Sequence, residues 1–148
     1  MKSKNQKFLM LFTILITAFR MVNAQSISEI AMPPMKVISI LDTAITTDGL
    51  SPKMGKGYGT LFTMIGQQQL KPGKVMGIFY TASAPWLFDI AVEVDKAPEQ
   101  LSDGIQFRTI EGGDAALVHF KGPYDKIYTA YLQMEEWLKK NNKQRMGP

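Results

Sequence analysis

The residues that could do chemistry cluster in one run, Val118-His119-Phe120-Lys121-Gly122-Pro123-Tyr124, which holds the only histidine of the chain. Flanked by Val118 and Phe120, His119 is expected as a buried, hydrogen-bonded imidazole before it is expected as a general base. A lone histidine in a chain with no cysteine and no His-x-x-x-His partner makes no zinc site. A single axial haem bond stays open to it. The lack of cysteine also removes thiolate nucleophiles and disulfides. The sequence has no Gly-x-Ser-x-Gly elbow, and Gly55-x-Gly57-x-Gly59 lacks the strand context and final spacing of a dinucleotide loop. Glu111 and Asp114 bracket Gly112-Gly113 and read as turn residues. No catalytic residue, metal ligand or cofactor is therefore assigned.

What the residue types suit is binding. Tyr124 stands at the start of a helix and is equally a packing residue or the wall of a ligand cleft, with a flat apolar face and a hydroxyl handle. Trp86 opens a strand after a turn and either caps a sheet or meets a ligand. Glu93 falls on the polar side of a strand, the usual place for a solvated carboxylate. Turned toward a cleft, the same carboxylate beside aromatic rings would suit a lipophilic cation.

These side chains need strands and helices to place them. Lys36 to Ile45 reads as a strand rich in β-branched and bulky residues. Thr46 to Gly57 carries Asp48-Gly49 and Ser51-Pro52 and reads as turns, with a helix from Lys53 or Lys56 to Gln69. Tyr58, Leu61, Phe62 and Ile65 recur at helical spacing on one face of it, and Lys71-Pro72-Gly73 stops it. Val75 to Thr81 and Trp86 to Val94 form a hairpin. In its second strand Phe88, Ile90, Val92 and Val94 alternate with Asp89, Ala91, Glu93 and Asp95, the pattern of a half-buried strand. Ile105 to Ile110 is a short strand, Glu111 to Asp114 a turn and Ala115 to Phe120 a strand. Pro123 sits in the first turn of a second helix. Tyr124, Ile127, Tyr128, Tyr131, Met134 and Leu138 line one face of that helix.

Residues 1–24 stand apart. Lys2, Lys4 and Lys7 precede an apolar run from Phe8 to Phe19, and Val22-Asn23-Ala24 supplies small residues for cleavage. That is signal-peptide architecture, with an uncleaved membrane anchor as the alternative. Arg20 ends the run before the ~20 apolar residues that a membrane-crossing helix needs. Of the 17 basic residues, Lys2, Lys4, Lys7 and Arg20 lie in this segment, so the remaining 13 match the 13 acids. A neutral mature chain lacks the electrostatic footprint of a nucleic-acid binder. The expected organisation is thus a signal peptide over 1–24, a linker over 25–35 with Pro33-Pro34, and one domain over 36–148.

The two helix starts are alike. Tyr58 aligns with Tyr124, Leu61 with Ile127, Phe62 with Tyr128 and Ile65 with Tyr131, each set after a glycine turn and an apolar strand. Duplicated β-α-β-β units are expected in an α+β domain with an antiparallel sheet and two helices. The sequence ends shortly after the second helix, so the second unit is expected to be truncated. An open sheet edge would then favour a homo-oligomer or mark a gene fragment.

Tyr58-x-x-Leu61-Phe62, Met76-Gly77-Ile78-Phe79-Tyr80, the strand Phe88 to Val94 and the segment Ala115 to Tyr124 together resemble the GyrI-like effector-binding domains of AraC- and MerR-type regulators. The likeness spans about residues 36–140. It implies two β-α-β-β units about a pseudo-twofold axis with a cleft that takes organic molecules, often lipophilic cations. Carried over position by position, Tyr58, Trp86, Glu93, His119, Tyr124 and Tyr128 are the expected lining. The family continues into a strand with Trp-Glu-x-Tyr that this sequence lacks. The expected function is a secreted or periplasmic domain that sequesters or senses a small organic ligand. It would bind no nucleic acid and keep no stable membrane span after cleavage. A haem carrier resembling SOUL-type domains and a hydrolase using Glu93 and Tyr124 are the alternatives.

Overall fold

The computed structural model describes residues 26–81, 83–122 and 126–145. Their elements run β1 (Ile27–Met32), β2 (Met35–Ala44), α1 (Thr47–Gln67), β3 (Pro72–Phe79), β4 (Trp86–Val94), β5 (Gln106–Ile110), β6 (Gly113–Val118) and α2 (Tyr128–Lys140). The fold is α+β with antiparallel sheets and two helices, as expected. The segment β2-α1-β3-β4 is a complete β-α-β-β unit. The expected signal segment lies outside the described residues, as do Pro123 and Tyr124.

The chain divides into two compact units. The larger comprises Glu29–Ala115 and residues 142–145, and holds an antiparallel sheet in the order β3-β4-β2-β5. Strand β2 lies in the middle, pairing Ile40 with Ile90 of β4 and Val37 with Arg108 of β5. On one sheet face Ile38, Ala44, Phe88, Ile90, Val92 and Val94 pack with Leu50, Leu61, Met64 and Ile65 of α1. Phe79 stacks on Phe88 with ring centroids 5.5 Å apart. On the opposite face Met35, Val37 and Ala91 form a second cluster with Met32, Met76, Ile78 and Ile110. The smaller unit, centred on Ala116–Asn141, carries α2. There Ala130 is buried, while Tyr128, Tyr131 and Leu132 are exposed.

Four local expectations need correction. Residues 27–32 are strand rather than linker, because β1 pairs with β6 in a two-stranded sheet. Helix α1 starts at Thr47, where Thr46 caps it by accepting from the Gly49 N–H through Oγ1. The cap overrides the turn chemistry of Asp48-Gly49, and the helix runs on through Pro52, which lacks the N–H for one i→i−4 bond. The buried stripe of α1 runs Leu50, Gly57, Leu61, Met64 and Ile65, which leaves Phe62 at 42 % exposure. The odd residues of β4 are not solvated, since Asp89 and Ala91 are buried as fully as their even neighbours.

Gly57 is the contact point of α1 with the sheet. A Cβ there would fall on the side chain of Ile90, which is fully buried. Gly55 and Gly59 have open space at the same point. Gly57→Ala is expected to lose about 1–3 kcal/mol through overpacking. Gly59→Ala is expected to be neutral or to gain up to ~1 kcal/mol from helix propensity. Urea denaturation of the two variants checks the difference.

Carboxylates also set an acid limit. The Lys53 ammonium, 2.8 Å from Asp42 Oδ1, holds the Asp42 carboxyl below its ordinary value, with help from the Thr43 N–H. The Lys71 N–H does the same to Asp95. A lowered folded-state value contributes stability above the unfolded value of 3.8, lost as pH falls through the folded one. The urea midpoint is expected to drop as pH is lowered past 3.8, with a smaller drop in Lys53→Met.

Candidate functional site

The site is built on the sheet face turned away from α1. Alternation places Leu87, Asp89, Ala91 and Glu93 of β4 there, with Ser39 and Leu41 of β2 and Gln106 and Arg108 of β5. Toward the Met35 end the face is apolar. Toward the Leu41 end it turns polar around a buried carboxylate.

Asp89 is that carboxylate, with a side chain only 4 % exposed. Its Oδ2 accepts from the Tyr80 hydroxyl at 2.6 Å and from Arg108 Nη2 at 2.6 Å. The same Nη2 donates to the Tyr80 oxygen at 2.7 Å. Arg108 reaches Asp89 from β5 across the intervening β2, a span of two strand spacings, or about 10 Å. Arg108 Nε is buried with no partner, and so is Ser39 Oγ on the same face. Beside the cluster opens a hollow of about 230 Å³ lined by Leu41, Tyr80, Leu87, Asp89, Gln106 and Arg108. Burial and the hydrogen bond to Asp89 push the Tyr80 phenol above its ordinary value, and Arg108 opposes them.

The expected site residues are placed as follows. Tyr58 and Trp86 are half-buried and pack on the core cluster shared with α1. Glu93 lies on the same face as Asp89, but its Oε2 accepts the Lys74 N–H at 3.0 Å where β3 bulges between Pro72 and Val75. Gly73 permits this approach, since a Cβ there would stand 2.6 Å from Glu93 Oε2. Glu93 thus holds backbone, while Asp89, four residues before it, meets the hollow. His119 is exposed rather than buried, because β6 ends at Val118 and the imidazole falls beyond the strand. Tyr128, at the start of α2, is 54 % exposed. Tyr124 lies outside the described residues.

Sequence reasoning missed Asp89, Arg108 and Tyr80. The one usable signal was Asp89 itself, an acid at a central position of an apolar strand. Its partners are 9 and 19 residues away in sequence and no local pattern connects them.

Breaking the cluster has a definite sign. Arg108→Met leaves a buried carboxylate without its cation and is expected to lose up to ~3–5 kcal/mol, less to the extent that the guanidinium is one-third exposed. Asp89→Leu with Arg108→Met removes both charges and is expected to recover most of that loss in thermal denaturation. Tyr80→Phe is expected to lose about 1–2 kcal/mol. A raised phenol value contributes stability below the unfolded value of 10.0, lost as pH rises through the folded value. Alkaline difference spectra are expected to show a late-titrating tyrosine that Tyr80→Phe removes.

Comparison with known proteins agrees with this architecture. The family model for the GyrI-like small molecule binding domain matches residues 25–148. No curated protein matches the sequence. Among solved structures, the chain is similar to the crystal structure of the EcmrR C-terminal domain, with a TM-score of 0.62 and 18 % identity over 80 % of this chain and 77 % of that one. It is also similar to EcmrR in a cryo-EM structure of its DNA complex, with a TM-score of 0.65 and 16 % identity over 88 % of this chain. There it spans 50 % of the EcmrR chain. At such identities the likeness is one of fold.

Proposed function

The chain belongs to the GyrI-like small molecule binding domains, and we propose that it works outside the cytoplasm, sequestering or sensing an organic molecule that it releases unchanged. The observation that carries this reading is the hollow beside Asp89, Arg108 and Tyr80. It joins apolar walls from Leu41 and Leu87 to a few fixed polar groups, the usual make-up of a small-molecule site. Rotation of these polar side chains is restrained by their mutual bonds, so little ordering is left for the ligand to impose. Export is supported by the basic, apolar and small-residue pattern of residues 1–24. The charge balance that remains without them supports a partner other than nucleic acid.

The cationic ligand is the finer part of the expectation. A cation needs a carboxylate that is not already neutralised. Among the residues lining the hollow, the charge of Asp89 is offset by Arg108, and Glu93 lies outside the lining. The hollow itself therefore carries no net negative charge to attract one.

Titration calorimetry of the full chain against a panel of small organic molecules tests the binding reading. Saturable heat is expected, with the ligand recovered intact and no Soret band on adding haemin. A folded protein that binds nothing in the panel would contradict it. Expression in a bacterial host is expected to give exported protein beginning at Gln25. Protein held in the membrane with residues 1–24 attached would support the anchored alternative.

A further inference from the structure

We infer that the ligand of this hollow is a small organic acid, its carboxylate held by Arg108 and its apolar body by Leu41 and Leu87. The inference rests on the reading of the hollow as the binding site. It starts from which hydrogen-bonding groups are spent and which are spare. A guanidinium has five N–H donors in a planar fork. Arg108 uses one nitrogen, Nη2, for both Asp89 and Tyr80. Nε is buried without an acceptor, and Nη1 makes no hydrogen bond among the described residues. A guanidinium placed only to neutralise Asp89 would gain most from a two-pronged pair with both carboxylate oxygens. This one meets a single oxygen, Oδ2, through a single nitrogen.

The guanidinium has donors to spare, while among the acceptors beside it only Asp89 Oδ1 and the Gln106 side-chain carbonyl are uncommitted. Asp89 Oδ2 already takes two bonds, and the Tyr80 oxygen accepts from Arg108 while its hydrogen goes to Asp89. Ser39, paired with Gln106 across β2 and β5, is a buried hydroxyl without a partner on the same face, outside the lining of the hollow. The exposed Gln106 amide lines the hollow itself. A ligand that brings oxygen acceptors answers the unspent Arg108 Nη1 and the Gln106 amide that line the hollow, whereas an ammonium would bring more donors and meet a guanidinium of its own sign. A carboxylate matches the guanidinium fork in shape and charge.

The size of the hollow limits the rest of the molecule. At about 230 Å³ it falls below the ~300–1,000 Å³ common for ligand pockets. One aromatic ring or a short acyl chain fits against Leu41 and Leu87.

Three probes that share a ring and differ in the polar group test the inference by calorimetry on the full chain: benzoate, benzamide and benzylammonium. Benzoate is expected to bind at least about tenfold more tightly than benzylammonium, with benzamide between them, and to weaken as salt is raised. Arg108→Met is expected to abolish the preference. Because that variant leaves Asp89 buried without its cation, Leu41→Trp serves as a second test. It fills the hollow from an exposed position, leaves the ion pair intact, and is expected to lose benzoate binding with the melting temperature kept. Stronger binding of benzylammonium would overturn the inference. So would benzoate binding that survives both substitutions, or binding of other panel molecules but of no acid. In each of those cases the small-molecule reading stands. A folded chain that binds no probe and no member of the wider panel overturns both.

Discussion

A strand covered on both faces is the constraint from which the rest of this structure follows. Strand β4 lies between β3 and β2, with Phe88, Ile90 and Val92 against α1 and with Asp89 and Ala91 buried on the other side. Alternation therefore does not deliver Asp89 to water. A carboxylate at that place must bring charge and hydrogen-bond partners with it, since burying it alone is far costlier than burying a paired one. Tyr80, just past β3, and Arg108 on β5 supply them. The cluster ties three strands together, and Arg108 reaches over the fourth to do so.

A second pair of carboxylates at the other end of the hairpin does quieter work. Glu93 and Asp95 accept the Lys74 and Lys71 N–H groups where β3 departs from regular pairing. Backbone donors released by a bulge need acceptors, and side chains from the neighbouring strand provide them. The three acids of β4 and its end thus differ in role although they share one face. Asp89 meets an arginine and a tyrosine beside a hollow. The other two serve the backbone at the exposed entry to β3. Gln68 acts similarly on the connector after β4, accepting from the Glu99 and Gln100 N–H groups and donating to the Gln100 carbonyl.

The glycines and aromatics of α1 show how a helix face is chosen. Tyr58, Leu61, Phe62 and Ile65 share a helical face by spacing, and the buried stripe runs Leu50, Gly57, Leu61, Met64 and Ile65 with Tyr58 packed against it, which leaves out Phe62 alone. Gly57 lets Ile90 approach the helix backbone, and the helix settles with Phe62 turned outward. In α2 the same happens to Tyr128 and Tyr131, exposed although they recur at helical spacing with the half-buried Ile127 and Met134. Spacing shows that residues share a face. It does not show which part of a broad apolar face is pressed hardest against a neighbour.

The sequence by itself determined the α+β class, the order β-α-β-β of the first unit, the strand at Phe88 to Val94 and the likeness to the GyrI-like domains. These follow from local periodicity and from a motif order that survives in a single chain. Tertiary structure alone decided that residues 27–32 are strand, since a strand exists only where a partner offers its edge. It decided that α1 begins at Thr47, where a capping threonine and the core contact of Leu50 outweigh turn-forming residues. It decided as well that His119 is exposed, that Glu93 holds a bulge, and that Asp89 is the acid beside the hollow. The strand at 27–32, the role of Glu93 and the place of Asp89 depend on residues distant in sequence, and above all on burial of the second sheet face, which no alternating pattern can announce.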